Sequence, residues 1–309
     1  MKFLKPKFWK KKNSLLAIFL LPFSFFFQLL IKLRKIVIKK KKFSVPIICV
    51  GNIYLGGTGK TPLSLEIVKI LKKVNKKTAI IKKSYNEHRD EFRLIESQQV
   101  SLFKSPYRSL AITNAIMNGF DCIVLDDGFQ DSSIQKDLNI ICFNGKQLIG
   151  NGMTLPSGPL RENFLALKKA QIVVINGELN HEFEKKIKRI SNNISIYYSK
   201  YLPININDFK KKSLLAFAGI GNPENFFDML EKNNLNIVKK ISYPDHYNYS
   251  INELNELIDF SLKNNLKLIT TEKDYFRIKH FQLTQIECLN IKLEIFNKKS
   301  FEKEIIRHL

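Results

Sequence analysis

Along this 309-residue chain, short apolar runs trade places with amphipathic stretches of helical period. From Val45 onward, "VPIICVGN" predicts a strand. "TPLSLEIVKILKKV" predicts a helix with Pro62 in its first turn, where a missing N–H costs nothing. The strand "TAIIKKSY", the short helix "DEFRLIESQ", the strand "VSLFK" and the helix "RSLAITNAIMN" follow. "DCIVLDD" and "LNIICFN" supply two more strands, ahead of a helical "ENFLALKKA" and the strand "QIVVIN". Such alternation predicts a parallel sheet covered by helices on both faces. A polar, Lys- and Asn-rich link from Leu202 to Lys212 interrupts it. A second α/β series then runs through "SLLAFAGI", "NPENFFDMLEKN", "NIVKKISY", "SINELNELIDFSLKNN" and "LKLITTEKD". The pattern predicts one lobe over 45–202 and a second, smaller α/β lobe over 203–309 that closes a cleft.

Residues 1–44 follow a different pattern. "MKFLKPKFWKKK" carries six lysines, "SLLAIFLLPFSFFFQLLI" runs from Ser14 to Ile31 without a charge, and a second basic cluster spans Lys32 to Lys42. About 18 apolar residues is the lower limit for a spanning helix. No small-residue cleavage site follows, which argues against a secretory signal. Apolar residues flanked by lysines on both sides suit a membrane-anchoring helix held against anionic lipid.

The formal net charge of +23 permits a nucleic-acid, membrane or phosphorylated partner. It coincides with a chain rich in Lys, Asn, Ile and Phe together, so composition alone carries part of it. Neither paired CxxC nor an aromatic RNP string appears, which removes the usual nucleic-acid signatures. Cys49, Cys122, Cys142 and Cys288 lie far apart, without metal or disulfide spacing, and read as small hydrophobes in a reducing compartment.

The candidate chemistry begins at "YLGGTGKTP". A phosphate loop asks for Gly, four residues, then Gly-Lys-Thr or Gly-Lys-Ser; Gly59-Lys60-Thr61 fits, while Tyr54 stands at the opening position. Gly56 and Gly57 supply the backbone freedom that lets successive N–H groups point inward, ahead of a helix whose positive dipole end faces the anion. Tyr54, Leu55, Gly56, Gly57, Thr58, Gly59, Lys60 and Thr61 are therefore the expected nucleotide-binding residues. Lys60 is expected to reach the β/γ-phosphates, and Thr61 to ligate Mg²⁺. "CIVLDDGFQD" puts Asp126 and Asp127 at the carboxyl edge of a strand, where ligands of open α/β sheets sit; one or both should hold the metal. Arg161, after a Gly-Pro turn in "GPLRE", suits phosphate binding. The expected sheet is thus of the P-loop NTPase type, with ATP and Mg²⁺ as cofactors.

In order and spacing, "VGNIYLGGTGKTP", "DDGFQ" with "KDLNIICFN", "LPSGPLRE", "FAGIGNPENFF", "YPDHYNYS" and "LITTEKD" resemble the tetraacyldisaccharide 4'-kinase family of the lipid A pathway. The resemblance runs from Val45 to the C-terminus. It implies ATP-dependent phosphorylation of the 4'-hydroxyl of a membrane glycolipid, an acylated glucosamine disaccharide, at the cytoplasmic face of the bacterial inner membrane. No nucleic acid and no obligate protein partner is implied. By the same resemblance the acidic pair of "RDEF", Asp90 and Glu91, supplies the catalytic base and a metal ligand, His246 of "PDHY" assists the base, and Arg161 and Glu162 match the family's Arg-Glu. The chain departs from the family at Asp131, where a histidine is usual. It departs again at Lys83-Ser84-Tyr85, in place of arginine-glycine-tyrosine, and at "RDEF", in place of Gly-Asp-Glu-Pro. Two rival classes share parts of the pattern. A membrane-bound nucleotide switch uses a similar loop but has lysine where Leu55 stands, and a basic nucleic-acid-binding ATPase rests on net charge alone.

Overall fold

The computed structural model of the chain describes residues 6–84 and 89–309, apart from the side chains of residues 89–91. Helices α1 (Leu15–Phe19) and α2 (Leu21–Val37) precede β1 (Ile47–Gly51), the glycine-rich loop and α3 (Lys60–Lys73). Next come β2 (Thr78–Lys83), α4 (Arg89–Ser97), β3 (Leu102–Ser105), α5 (Arg108–Met117), β4 (Cys122–Asp126), β5 (Leu138–Asn144) and β6 (Ile172–Asn176). Then follow α6 (His181–Ile190), β7 (Ser195–Pro203), β8 (Ser213–Ala218), α7 (Pro223–Lys232), β9 (Asn236–Ser242) and α8 (Ile251–Lys263). The chain ends with β10 (Lys267–Thr271), α9 (Glu272–Ile278), β11 (Ile286–Leu289), β12 (Ile291–Ile295) and α10 (Lys298–Arg307).

Among the described residues the strands form two sheets, ordered β12-β7-β6-β5-β1-β4-β2-β3 and β11-β10-β8-β9. Pairings among β1 to β7 are parallel, as are those of the smaller sheet. Strands β1 and β4 are buried at every position, which is why both read as unbroken apolar runs: helices cover both faces of a parallel sheet. Strand β1 lies between β4 and β5, so the strand order reverses there, and a crevice opens outside the carboxyl ends at such a point. The expected α/β fold with a parallel sheet is present.

The lobe boundaries differ from the expected 45–202 and 203–309. Residues 6–84, 99–200 and 293–309 form the larger unit, and residues 89–98 with 201–292 the smaller. Helix α4 belongs to the smaller unit because it packs on α9, where Arg93 Nη1 donates to the carbonyl of Phe276 at 3.1 Å. Asp90, expected on the first lobe, is carried on this helix. Helix α10 belongs to the larger unit because Phe301 and Ile305 are buried there, while Lys298 pairs with Glu66 of α3 at 2.5 Å and Glu302 with Lys73 at 2.7 Å. "ENFLALKKA" forms only a 3-10 turn over Phe164–Lys169, begun by the Asn163 side chain accepting from Leu165 N.

The N-terminal segment packs inside out. Ala17 and Ser24 are buried against the larger unit, while Phe19, Phe25 and Phe26 are 71%, 73% and 61% exposed. Ser24 Oγ donates to Ser157 Oγ at 2.7 Å and lies 3.0 Å from Thr154 O; Gln28 Nε2 donates to Arg161 O at 3.2 Å. Lys35 Nζ pairs with Glu162 at 2.5 Å. The polar stripe of α2 therefore grips the 154–162 segment, and the apolar face turns outward. Pro22 near the start of α2 separates it from α1, and no helix of the described residues is long and apolar enough to cross a membrane.

One close approach fixes the site end of β1. A Cβ on Gly51 would stand 2.4 Å from Phe129 Cβ and 3.1 Å from Phe129 N, and Phe129 is itself buried in the turn after β4. Gly51→Ala should lower stability by about 2 kcal/mol through overpacking. The measurement is urea unfolding: the midpoint should fall at unchanged slope, and an unchanged midpoint would contradict the packing described.

Candidate active site

The loop after β1 is shaped before any ligand is considered. Gly56 and Gly59 adopt φ of 125° and 92°, conformations open to glycine, and Gly59 caps the N-terminus of α3. Asn52 Nδ2 donates to Gly56 O at 3.2 Å and to Thr58 Oγ1 at 3.0 Å, tying the loop across its own width. From outside, the 154–162 segment braces it. Leu55 N donates to Pro159 O at 2.8 Å, Arg161 N donates to Ile53 O at 2.7 Å, and the Tyr54 ring is buried in the core. The positive end of the α3 dipole thus lies directly behind the loop that follows β1.

Beside the loop lies Asp126, whose carboxylate is fully buried at the end of β4. Its Oδ2 accepts from Thr61 Oγ1 at 2.8 Å and from Lys82 Nζ at 2.6 Å. Its Oδ1 is buried with no hydrogen-bond partner among the described residues. Asp127 adopts φ of 60° and is 30% exposed. Arg161 Nη1 reaches its two oxygens at 3.1 and 3.2 Å, and Lys60 Nζ stands 3.6 Å from Oδ1. Burial alone pushes the Asp127 carboxyl up, but Lys60, Arg161 and Lys82 together outweigh it and hold it well below the usual carboxylate range.

Arg108, at the start of α5, stabilises the left-handed turn: Nη2 donates to Asp127 O at 2.7 Å and Nη1 pairs with Asp131 at 3.1 Å. Lys136 Nζ then donates to the carbonyls of Gly128, Phe129 and Asp131 at 2.7, 3.0 and 2.6 Å. Asp131 is thus a turn-fixing anion with its own arginine. Gln130 Nε2 closes the turn onto Asn52 O at 2.7 Å.

The donor set fits magnesium. Magnesium keeps several waters and takes few carboxylates, and neighbouring oxygens on an octahedral ion at 2.0–2.1 Å stand about 2.9 Å apart. Thr61 Oγ1 and Asp126 Oδ2 are 2.8 Å apart, and the unpartnered Oδ1 offers a further lone pair. No cluster of three His, Cys, Asp or Glu occurs among the described residues, so phosphate oxygens and water would have to complete the shell.

The sequence profile of the tetraacyldisaccharide-1-P 4'-kinase family, LpxK, matches residues 16–309. The chain belongs to this family. A tetraacyldisaccharide 4'-kinase of Pelagibacter ubique is 45% identical over 316 residues, covering 99% of this chain and 98% of that protein. One from Rickettsia canadensis is 33% identical, covering 99% and 98%. The crystal structure of LpxK from Aquifex aeolicus in complex with ATP matches with a TM-score of 0.74 at 23% identity, covering 95% of this chain and 99% of that one; it shares the fold.

Of the family-matched residues, Lys60, Thr61, Asp126, Asp127 and Arg161 come together on one edge of the larger unit. Glu162 points instead to Lys35 of α2. His246, in the smaller unit, adopts φ of 56°, with Nε2 3.3 Å from Lys273 Nζ and 3.9 Å from Asp245. The Asp90 and Glu91 side chains lie outside the described residues. Sequence reasoning missed Lys82, Arg108, Asn52 and Gln130. Arg108 reads as an ordinary helix start, and Lys82 as the polar end of a strand; the signal was a lysine inside an otherwise apolar run.

The Asp131 carboxyl gives a pH test. Burial pushes it up, while the Ser133 N–H and hydroxyl and Arg108 pull harder, leaving it below its ordinary value. A lowered folded-state pKa adds stability above the unfolded value and loses it as pH falls through the folded one. Asp131→Asn should therefore cost roughly 1 kcal/mol at pH 7, and the difference should shrink by pH 3. Equal differences in urea unfolding at both pH values would contradict this.

Proposed function

We propose that the protein transfers the γ-phosphoryl group of ATP to the 4'-hydroxyl of an acylated glucosamine disaccharide 1-phosphate, giving lipid IVA in lipid A biosynthesis. The carrying observation is the grouping of Lys60, Thr61, Asp126, Asp127 and Arg161 around a braced phosphate loop, in a chain matched over its length by named 4'-kinases. Loop N–H groups and Lys60 bind and orient the β/γ-phosphates, and Arg161 offsets charge that spreads over the equatorial oxygens. Thr61 and Asp126, with Asp127 and Glu91 as further oxygen donors, are the groups to hold magnesium, which when bound neutralises charge between the β- and γ-oxygens.

The sugar oxygen attacks phosphorus as the bond to the bridging β–γ oxygen breaks; ADP leaves with that electron pair. The hydroxyl proton passes to Asp90, with His246 directing the carboxylate, roles assigned by match to the family. Binding at the membrane is assigned to the exposed apolar face of α1 and α2 and to the flanking lysines, at the cytoplasmic face of the inner membrane.

Incubation with labelled ATP and an acylated disaccharide 1-phosphate in vesicles tests this. A labelled glycolipid is expected; labelled free phosphate alone would support a nucleotide switch instead. Lys60→Ala and Thr61→Ala should abolish labelling in folded protein. Asp90→Asn should lower kcat by about 10²-fold or more with ATP affinity little changed. An Asp90→Asn enzyme of unchanged kcat would place the base elsewhere.

A further inference from the structure

Helix α9 is short, Glu272–Ile278, yet it meets the segment that carries His246 at several points. Thr271 caps it, its Oγ1 donating to Asp274 Oδ2 at 2.7 Å and accepting from Asp274 N at 3.1 Å. The Asp274 carboxylate is fully buried; it accepts from Gly219 N at 3.0 Å and Tyr249 Oη at 3.1 Å, and pairs with Arg277 at 2.7 Å. Arg277, with a side chain 11% exposed, also donates from Nη1 to Gly219 O at 3.1 Å and Tyr247 O at 3.3 Å. Gly219 O in turn accepts from His246 N at 3.1 Å. One guanidinium therefore holds the carbonyl that receives the His246 N–H and the carbonyl of the residue that follows His246. Gly219 sits tightly in this knot, since a Cβ there would stand 2.7 Å from Tyr249 Oη and 3.1 Å from Asp274 Oδ1. His246 itself adopts φ of 56°, an uncommon conformation for a residue with a Cβ, which persists where the surroundings over-determine it.

We propose that α9 is the common support of the two groups assigned to proton transfer, with Arg277 as the positioning residue for His246. This rests on the reading of Asp90 as the base and His246 as the group that directs it. Helix α4, which carries Asp90, packs on α9, where Arg93 meets the Phe276 carbonyl. The segment of His246 is tied to the same helix through Asp274 and Arg277, and Lys273 Nζ stands 3.3 Å from His246 Nε2. Two side chains cooperate in a reaction when both backbones are held to a fraction of an ångström, and here one helix meets both segments. Arg277 grips backbone carbonyls around His246, so its contribution is to set where the imidazole sits. Its pairing with buried Asp274 fixes the guanidinium in turn.

The test is transfer of labelled phosphate to an acylated disaccharide 1-phosphate in vesicles by the full-length protein. Values of kcat and of KM for ATP are read in the unsubstituted protein, Arg277→Gln, His246→Ala and the double variant. Arg277→Gln should lower kcat by about fivefold or more and change the KM for ATP by less than about twofold, because the phosphate loop belongs to the other unit. His246→Ala should lower kcat by about tenfold or more, and adding Arg277→Gln to it should cost less than about twofold further. Arg277→Lys, which keeps a cation opposite Asp274, should recover part of the loss. A purely structural arginine would instead lower activity alike in both backgrounds. An unchanged kcat in Arg277→Gln, or an equal loss with and without His246, overturns the inference and leaves His246 in its role. An unchanged kcat in His246→Ala, or no transfer by the unsubstituted protein, overturns the reading of His246 and the inference with it. If Arg277→Gln does not fold, Arg277→Lys takes its place in the same comparison, with a loss of about threefold expected alone and the same outcomes deciding.

Discussion

The site edge of the larger unit is organised around one buried charge. Asp126 ends an apolar strand with no exposure to water, and an isolated carboxylate there would be far too costly to keep ionised. Thr61 and Lys82 supply the compensation. Thr61 lies in the first turn of α3, so its bond to Asp126 fixes the phosphate loop against β4. Lys82 ties β2 to the same atom. The strand order that flanks β1 with β4 and β5 puts that fixed point beside the crevice. Asp127, one residue on, is forced into a left-handed turn and so points its carboxylate the other way, towards Lys60 and Arg161.

The second constraint is the inverted helix α2. A surface helix normally buries its apolar stripe. Here Ser24, Gln28 and Lys35 face the protein and the phenylalanines face out. The same 154–162 segment receives α2 on one side and braces the phosphate loop on the other, through Pro159 and Arg161. The backbone carbonyl of Arg161, the arginine proposed to meet phosphate, is therefore held by Gln28 of the helix proposed to meet the membrane.

Much of this was legible in the sequence. Period and length located β1, α3, β4 and β5, and the glycine spacing located the loop, because local steric demands leave a local signature. Partners brought together by topology left none. Lys82 and Asp126 are neighbours only because β2 lies against β4, and Arg108 grips Asp127 only because α5 starts beside that turn. The lobe boundary failed for the same reason: α4 and α10 join units by packing, on α9 and α3, that no linear pattern encodes. The uncharged run from Ser14 to Ile31 located the helical region, but not the break near Pro22 or the polar seam beneath.

The claim that Asp126 organises the edge is tested most directly by a double-mutant cycle of Asp126→Asn and Lys82→Met in urea unfolding. Removing one partner of a buried pair strands the other, so each single change should cost several kcal/mol, with the double change costing less than their sum. The predicted coupling is about 2 kcal/mol or more, in variants that all fail to transfer phosphate to lipid. Additive losses, or a transferring Asp126→Asn enzyme, would contradict it.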